Sequence, residues 1–347
     1  MAEPAGTNRA RFEAALAGRP IDRPVYAVYD WFVAHRPIHW QRLFDLGLGR
    51  IDHATVITHR RPHVQVLETM STDSAGRVRT DVRWVTDIGE LHEWYLDEWR
   101  QEYLIKRPED YRVLARALTD VDVAADLEPF RRTESAVGEN GITLAVPQMN
   151  RTAFQKVQID FAGLEQFSCD LALGSRELLD LLDLMNDLTL RDFQVLASLP
   201  VRHVKLWENL TIETMGPAVY RKHLVPLYER LLEVLSRSGQ RLHVHYDGKL
   251  RPIAEDIRRL GLDGLDSVTP PPEGDLSPAE ARALWPDKFL WLHPPLGWFR
   301  LPRAEMLARI RRMAEDAGPT RACLMISEEV PPDCEEAVPA ILEMLRR

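Results

Sequence analysis

The chain has 347 residues, of which 45% are hydrophobic and 28% are charged, and this balance excludes a disordered or fibrous protein. It contains 44 Lys and Arg against 53 Asp and Glu, and the resulting net charge of −9 argues against a nucleic-acid partner because acidic surfaces repel phosphate. No apolar run reaches the roughly 18–20 residues that a membrane span requires. The polar N-terminus does not resemble a secretory signal. We therefore expect a soluble, cytoplasmic protein.

Helical and strand patterns are mixed in the first third of the chain. Helical spacing predicts helices at residues 7–16 and 40–46, and a segment at 97–118 contains a helix start at 106–110, with a Pro in its first turn. Runs rich in β-branched and aromatic residues predict strands at residues 24–30 and 54–59. Two further runs, at 63–70 and 78–85, flank a turn-like Ser-Ala-Gly and predict a β-hairpin.

Strands and helices alternate regularly in the rest of the chain. Strands are predicted at residues 142–148, 201–206, 241–245, 264–269, 288–293 and 321–326. Helices are predicted at residues 153–170, 176–199, 218–236, 253–260, 278–284, 303–317 and 335–345. Alternation of this kind indicates a parallel sheet.

Eight predicted strands outside the hairpin favour an α/β fold of the (β/α)8 or TIM-barrel type. An open, doubly wound sheet is the alternative, but no GxGxxG motif follows the first strand. We expect a single barrel domain over residues 1–347, with an N-terminal helical extension and a hairpin insertion at about 63–86.

In such a barrel the carboxyl ends of all strands meet on the face that carries the active site. Polar residues also occur at strand ends simply because loops are solvated. We predict that Glu208 and His245 act in catalysis, Glu208 by orienting the substrate or taking its proton. Residues predicted to contact a small-molecule substrate are Asp30, Gln148, Trp207, Asn209, Tyr246 and His293.

The sharpest local motif is His243-Val-His245-Tyr-Asp247-Gly. Side chains alternate along a strand, so His243, His245 and Asp247 share one face. Imidazole and carboxylate groups at that spacing can bind one metal ion. The alternative interpretation is a histidine-bearing strand that ends in an Asp-Gly turn.

Four segments, in order along the chain, resemble the uroporphyrinogen decarboxylase superfamily. They are residues 11–24 (RFEAALAGRPIDRP), 105–111 (IKRPEDY), 215–226 (MGPAVYRKHLVP) and 245–248 (HYDG) followed by 260–263 (LGLD). The resemblance implies a (β/α)8 fold. In the true decarboxylases an arginine-bearing loop after the first strand binds the substrate carboxylates. Residues 30–37 (DWFVAHRP) stand there in this chain and lack the paired arginines.

Another branch of the superfamily contains zinc-dependent methyltransferases that move a methyl group between a corrinoid protein and a thiol. Their zinc ligands are His-x-Cys on one strand and a later Cys after the last strand. By this resemblance His245 is the first ligand, and Asp247 and Glu328 stand where the two cysteines would be. Two carboxylates make a harder site that suits zinc, manganese or iron and the activation of a hydroxyl as well as a thiol.

The resemblance therefore implies a metal-dependent methyltransferase with His245, Asp247 and Glu328 as metal ligands. Because the chain lacks the Asp-x-His-x-x-Gly corrinoid signature, a corrinoid would arrive on a partner protein. Homodimers are common in the superfamily, so a homodimer is also expected. Two alternatives stay open: a metal-free decarboxylase or lyase of a small carboxylic acid that uses His35 and Arg36, and a non-catalytic ligand-binding barrel.

Overall fold

A computed structural model describes residues 6–346 of the chain, which fall into two compact units. The first unit contains the described residues up to Val56, then Asp126–Pro147, and then the residues from Leu199 onward. The second unit contains Ile57–Ala125 and Gln148–Ser198. The sequence predicted one domain with a hairpin insertion, whereas the structure has a second unit much larger than a hairpin.

The first unit is built on a closed barrel of eight parallel strands, which confirms the predicted (β/α)8 architecture. Around the barrel the strands follow the order β1-β14-β13-β12-β11-β10-β9-β2. Their bounds are β1 Val25–Tyr29, β2 Gly49–Thr55, β9 Gly141–Val146, β10 His203–Thr211, β11 Arg241–Asp247, β12 Gly264–Val268, β13 Phe289–Leu292 and β14 Ala322–Met325. Strands β1, β9, β13 and β14 are almost entirely apolar because both of their faces are buried, whereas the other four carry polar or charged residues.

Helices of the first unit connect and flank the strands. Side chains fix several of their ends: Thr7 accepts a hydrogen bond from the first turn of α1, and Ser277 and Glu280 form a capping box on α13. The bounds are α1 Asn8–Leu16, α2 Asp30–His35, α3 Trp40–Asp45, α5 Glu128–Val137, α9 Ile212–Met215, α10 Pro217–His223, α11 Val225–Ser236, α12 Ala254–Arg259, α13 Pro278–Leu284, α14 Arg303–Ala317 and α15 Cys334–Leu345.

The strand predicted at residues 54–59 is misplaced. The barrel strand β2 lies earlier, and residues Ile57–Arg60 form β3 in the second unit. Strand β2 was not predicted because its sequence, GRIDHAT, is polar. Its charged side chains can lie in a barrel strand because they pair with each other: the Arg50 guanidinium donates to both oxygens of Asp52 at 2.5 and 2.6 Å. Strand β2 also approaches β9 so closely that a Cβ at Gly141 would lie 1.6 Å from the Arg50 carbonyl oxygen.

The second unit combines two antiparallel sheets with helices. Strands β4 and β5 confirm the hairpin, but β6 and β7 extend it to a four-stranded sheet. The β6–β7 turn places Asp97 and Glu98 at positive φ without a glycine, which is why the residues before 106 gave no strand signal. The strands are β3 Ile57–Arg60, β4 Gln65–Thr72, β5 Val78–Thr86, β6 Gly89–Leu96, β7 Trp99–Glu102 and β8 Asp122–Ala125.

The helix predicted at residues 153–170 is interrupted. Helix α6 passes into a π-helical turn at Val157–Ala162, and α7 begins only after Gly163, whose φ is 75°. The helices of this unit are α4 Pro108–Leu118, α6 Ala153–Lys156, α7 Leu164–Ala172 and α8 Arg176–Leu196. Between residues 6 and 346, no helix has both the length and the apolar character needed to cross a membrane.

Candidate metal centre at the barrel mouth

Three side chains named as ligands from the sequence come together at the carboxyl ends of the barrel strands. His245 and Asp247 lie at the end of β11, and Glu328 follows β14. Each offers one potential ligand atom, and these atoms lie within 4.8 Å of one another. The Nε2 atom of His245 is 3.0 Å from the Oδ1 atom of Asp247. We call His245, Asp247 and Glu328 the mouth cluster.

Strand alternation explains how β11 delivers two of these groups to one place. His243, His245 and Asp247 face the barrel interior, whereas Tyr246 faces the surrounding helices, where its hydroxyl lies 3.2 Å from that of Tyr220. Glu328 reaches the same place because β14 ends at Met325 and the chain then turns across the mouth. Residues distant along the chain thus meet as the barrel topology predicts.

A fourth carboxylate, Asp266 on β12, orients His245 from behind. The Nδ1 atom of His245 is 2.7 Å from Oδ2 of Asp266, which is completely buried. The same carboxylate also accepts hydrogen bonds from the Lys205 ammonium and the Tyr29 hydroxyl. The Asp266 carboxylate accepts hydrogen bonds, so the proton of a neutral His245 sits on Nδ1 and its Nε2 lone pair points towards the mouth cluster. Carboxylate–histidine pairs of this kind orient metal ligands in many metalloenzymes.

A local irregularity in β12 brings Ser267 to the cluster as well. Ser267 has a φ of 68°, and the register of β12 against β13 shifts between Leu265 and Val268. Because of this bulge, the side chains of Asp266 and its neighbour Ser267 both point into the barrel interior, although regular alternation would point them to opposite faces of the strand. The Ser267 hydroxyl contacts Oδ1 of Asp247 at 2.9 Å and also contacts Oε1 of Glu328.

The cluster contains more hydrogen-bond acceptors than donors. The Ser267 hydroxyl has one hydrogen for two carboxylates, and the Nε2 lone pair of His245 faces the Asp247 oxygen. Burial lowers the pKa of His245, against the opposing effect of Asp247, and the neutral imidazole is the form that ligates metals. Facing acceptor atoms repel each other, and a cation between them removes that repulsion. One nitrogen and two oxygen donors therefore fit a divalent metal.

His293 closes the far side of the cluster. Its Nε2 atom lies 3.2 Å from Oδ1 of Asp266, and its Nδ1 atom lies 3.0 Å from Oε1 of Glu328. The second approach lacks hydrogen-bond geometry, so the buried Nδ1 has no hydrogen-bond partner among the described residues. Burial alone would raise the pKa of Glu328, but the imidazoles of His293 and His245 outweigh it and lower that pKa. The predicted substrate residue His293 is thus part of this site.

An aromatic pocket in the same unit opens beside the cluster. It has a volume of about 480 Å³, and its lining includes Asp30, Trp31, Arg50, His53 and Trp207. The Trp207 ring lies 4.4 Å from the His53 ring, 5.0 Å from the Trp31 ring and 6.4 Å from the His245 ring. Trp207 therefore forms a wall between the pocket and the mouth cluster.

His53 gives this pocket a polar group. Its Nδ1 atom lies 3.0 Å from Oδ1 of Asp30, and its buried Nε2 atom has no hydrogen-bond partner among residues 6–346. Burial would raise the pKa of Asp30, but its bonds to His53 lower it overall, so the carboxylate stays ionised. Asp30 thus holds the ring and leaves Nε2 available to a ligand.

Two predicted site residues lie in the layer outside the barrel interior. Glu208 is completely buried, and it lies beside Tyr220, Tyr228 and Tyr246. Tyr246 is also completely buried. In this structure neither side chain reaches the barrel mouth, because both follow an inward-facing residue in their strands. Glu208, predicted as a catalytic residue, and Tyr246, predicted as a substrate contact, both lie within the strand–helix packing instead.

Two other predicted substrate residues are placed without a link to the cluster. Asn209 is exposed in a bulge of β10, with a φ of 50° that asparagine tolerates well. Gln148 is half-buried and belongs to the second unit. Within the described part of the first unit, no hydrogen bond or ion pair joins Asn209 to His245, Asp247 or Glu328.

Sequence reasoning missed the groups that support the cluster from behind: Asp266, Lys205 and Ser267. A signal for two of them was present, because Lys205 and Asp266 are charged residues in the middle of otherwise apolar strands. A charge at such a position is rarely tolerated without a buried partner. Here the two are partners of each other.

Comparison of the chain with known protein families and with curated protein sequences finds no match. The resemblance to the uroporphyrinogen decarboxylase superfamily therefore stays a prediction.

Proposed function

We propose that the protein is a metal-dependent enzyme that activates a hydroxyl or thiol group of a small substrate for methyl transfer. The observation that carries this proposal is the convergence of His245, Asp247 and Glu328 within 4.8 Å, with Asp266 fixing the tautomer of the histidine. These three residues would hold the metal ion. A bound divalent cation would act as a Lewis acid and lower the pKa of the acceptor group near neutral pH.

The residues around the cluster have separable roles in this proposal. Asp266 keeps the Nε2 atom of His245 turned towards the ligand position. The Nδ1 atom of His293, which lies 3.0 Å from Oε1 of Glu328, is the imidazole nitrogen that would hold the proton that the acceptor releases. The acceptor heteroatom then forms a bond to the methyl carbon as the bond between that carbon and its donor breaks.

The aromatic pocket would hold the body of the substrate. Trp31 and Trp207 provide flat apolar surfaces, and the Nε2 atom of His53 offers one hydrogen bond. Because Trp207 separates this pocket from His245, a ring bound there would place a substituent beside the mouth cluster. Methyl transfer is the reaction that the sequence resemblance favours, with the methyl donor a corrinoid carried by a partner protein.

Metal analysis is the first experiment. Protein purified without added metal is expected to hold about one equivalent of zinc, manganese or iron, or to take it up after chelation and reconstitution. Glu328→Gln is expected to lose the metal, whereas His63→Ala, which removes an exposed histidine of the second unit, is expected to keep it. Wild-type protein that binds none of the three metals under these conditions would contradict the proposal.

The reaction itself is tested with free methylcobalamin as methyl donor and panels of thiols and phenols as acceptors. Loss of the methyl–cobalt absorption together with a methylated acceptor is expected, and both are expected to stop when the metal is removed. A folded, metal-loaded enzyme that methylates no acceptor, even with corrinoid proteins as donors, would contradict methyl transfer while leaving the metal site intact.

The metal-free alternative has less support from the geometry. Of its two candidate residues, Arg36 pairs with Glu329 at 2.7 Å, and His35 is exposed with its Nδ1 atom 2.7 Å from the Trp31 carbonyl oxygen. Neither is free to bind a substrate carboxylate in this arrangement. Release of carbon dioxide from a small carboxylic acid in excess chelator would nevertheless establish the decarboxylase instead. Ligand binding without any turnover would establish the non-catalytic barrel.

A further inference from the structure

The second unit contains a group of cations that no acidic partner fully neutralises. Arg61 follows β3, Arg151 lies just before α6, and Lys156 is the last residue of α6. Arg151 and Lys156 share a single carboxylate, Asp160, at 3.3 and 2.9 Å. We call Arg61, Arg151 and Lys156 the basic cluster.

Aromatic rings connect the members of the basic cluster. The Arg61 guanidinium lies 5.0 Å from the centre of the Trp84 ring, and the Trp84 ring lies 6.3 Å from the Phe161 ring. The Lys156 ammonium lies 5.9 Å from the centre of the Phe161 ring. Arg61 and Lys156 therefore sit against one continuous aromatic surface, and cations are attracted to the faces of such rings.

The Arg61 side chain makes no hydrogen bond or ion pair with any residue described between 6 and 346, and only its backbone carbonyl accepts one, from the Val64 amide. Its Nε atom is buried without a partner, and so is the Nε atom of Arg151. The nearby Asp192 carboxylate is already bound, by His59 Nε2 at 2.5 Å and by the Met149 amide at 2.7 Å. An unpaired guanidinium is costly in a half-buried position, because burial removes its water.

A further buried donor lies beside Lys156. Gln155 is 1% exposed, and its Nε2 atom has no hydrogen-bond partner in the described part of the chain. Burial lowers the pKa of Lys156 against the effect of Asp160, and the neighbouring Arg151 and Arg61 lower it further. The orphaned atoms here are all nitrogen donors, so what the region lacks is an acceptor with negative charge.

We propose that the basic cluster binds one oxyanion group, a carboxylate or a phosphate, of a small molecule. Arg61 would supply its planar guanidinium fork, and Arg151 and Lys156 would add charge and further N–H donors. Trp84 and Phe161 would contact an apolar group attached to the anion. This site is separate from the mouth cluster in sequence and in chemistry, and it requires no metal.

Binding is tested by titrating the full-length protein with inorganic phosphate and, separately, with benzoate, using calorimetry and tryptophan fluorescence. We expect saturable binding of at least one anion, weakened by increasing salt. Arg61→Gln is expected to weaken it by at least about tenfold, because a charge-assisted hydrogen bond is lost. Arg60→Gln is the matched control, since Arg60 is exposed and already paired with Asp122, and it is expected to leave the affinity unchanged.

The two anions distinguish the source of the ligand. Tighter binding of phosphate identifies a phosphorylated molecule, and tighter binding of benzoate identifies a carboxylic acid with an apolar body. Arg61→Lys keeps the charge and is expected to bind with intermediate affinity, so it serves if Arg61→Gln fails to fold. Absence of saturable binding to wild-type protein, or equal affinity in Arg61→Gln and Arg60→Gln, would overturn the proposal. Metal content is expected to stay unchanged in all three variants.

Discussion

Two histidines on one strand of the barrel have opposite surroundings. His243 and His245 are separated by a single residue on β11 and face the same side of the strand. His243 is enclosed by rings: its Nε2 atom lies 3.0 Å from Nδ1 of His203, and its Nδ1 atom accepts a hydrogen bond of 3.2 Å from the Trp291 indole. His245, one layer nearer the mouth, lies between the carboxylates of Asp266 and Asp247.

The difference shows that a histidine motif does not by itself make a ligand. Both nitrogens of His243 are used in bonds to neutral partners, so no lone pair is left for a metal. His245 has one nitrogen fixed by a carboxylate and the other facing two more. The same residue type therefore serves packing in one layer of the barrel and presents a ligand atom in the next.

The largest expected effect comes from removing the ligand itself. His245→Ala is expected to reduce metal affinity by more than about 100-fold, because even groups behind a metal ligand contribute about 10–100-fold. The measurement is metal titration followed by calorimetry. The control is His243→Gln, which is expected to lower stability while keeping the metal, and the comparison fails if His243→Gln loses metal as readily as His245→Ala.

A smaller loss is expected for the residue that orients His245. Asp266→Asn should weaken metal binding by about 10–100-fold. It should also destabilise the fold, because it leaves the Lys205 ammonium buried beside a neutral amide. The double variant with Lys205→Met is expected to recover stability but not affinity. Recovery of both would mean that Asp266 acts only by neutralising Lys205.

The layer of His243 is tested through its neighbour on β12. A Cβ at Gly264 would lie 2.0 Å from Nδ1 of His243, so Gly264→Ala must displace the ring or the strand. We expect a loss of about 1–3 kcal/mol in unfolding free energy, measured by urea denaturation, with metal content unchanged. Gly261→Ala is the control, since the nearest atom would be 3.8 Å away. Loss of metal in a folded Gly264→Ala variant would show that the two layers are coupled.

The effect that is smallest at neutral pH, and that grows only in acid, is a pH dependence of stability from the layer of His243. Burial, with help from Arg202 and Arg241, lowers the pKa of His203 to about 3. The unfolded chain protonates this histidine below about pH 6.5. Its contribution to stability is therefore complete above that pH and is lost as the pH falls towards 3, at no more than about 1.4 kcal/mol per pH unit.

Urea denaturation of wild-type protein and His203→Gln between pH 7 and pH 4 measures this contribution. The variant is expected to show a flatter decline in unfolding free energy on the acid side. Parallel curves for the two proteins would show that His203 does not titrate in this way.

The barrel was predictable where its strands are almost entirely apolar, as in β1, β9, β13 and β14. It was not predictable in β2, because the Arg50–Asp52 pair makes a barrel strand look like a solvated segment. In the second unit the hairpin and most of the helices were predicted, but β6 and β7 were missed, because they turn through Asp97 and Glu98 instead of a glycine. Both failures arise where polar residues satisfy each other locally, which composition alone does not reveal.

The candidate site shows a similar division. His245 and Asp247 were predictable because strand alternation puts them on one face, and Glu328 was named as their partner only through the resemblance to the zinc-binding branch of the superfamily. Asp266 and Ser267 were not, since their joint access to the interior depends on the shifted register of β12. Glu208 was misassigned because its nearness to a strand end does not determine which face it occupies.

The course of the chain at the end of β2 has a practical consequence. The chain passes from the first unit to the second after Val56 and comes back to the first unit at Asp126. The amide of Asp126 donates a 2.9 Å hydrogen bond to the carbonyl of Val56. The exit and the return are therefore adjacent, as at the base of a loop. A short synthetic turn could therefore span these two positions, but a graft that replaces the second unit must also replace Gln148–Ser198, which belongs to the same unit.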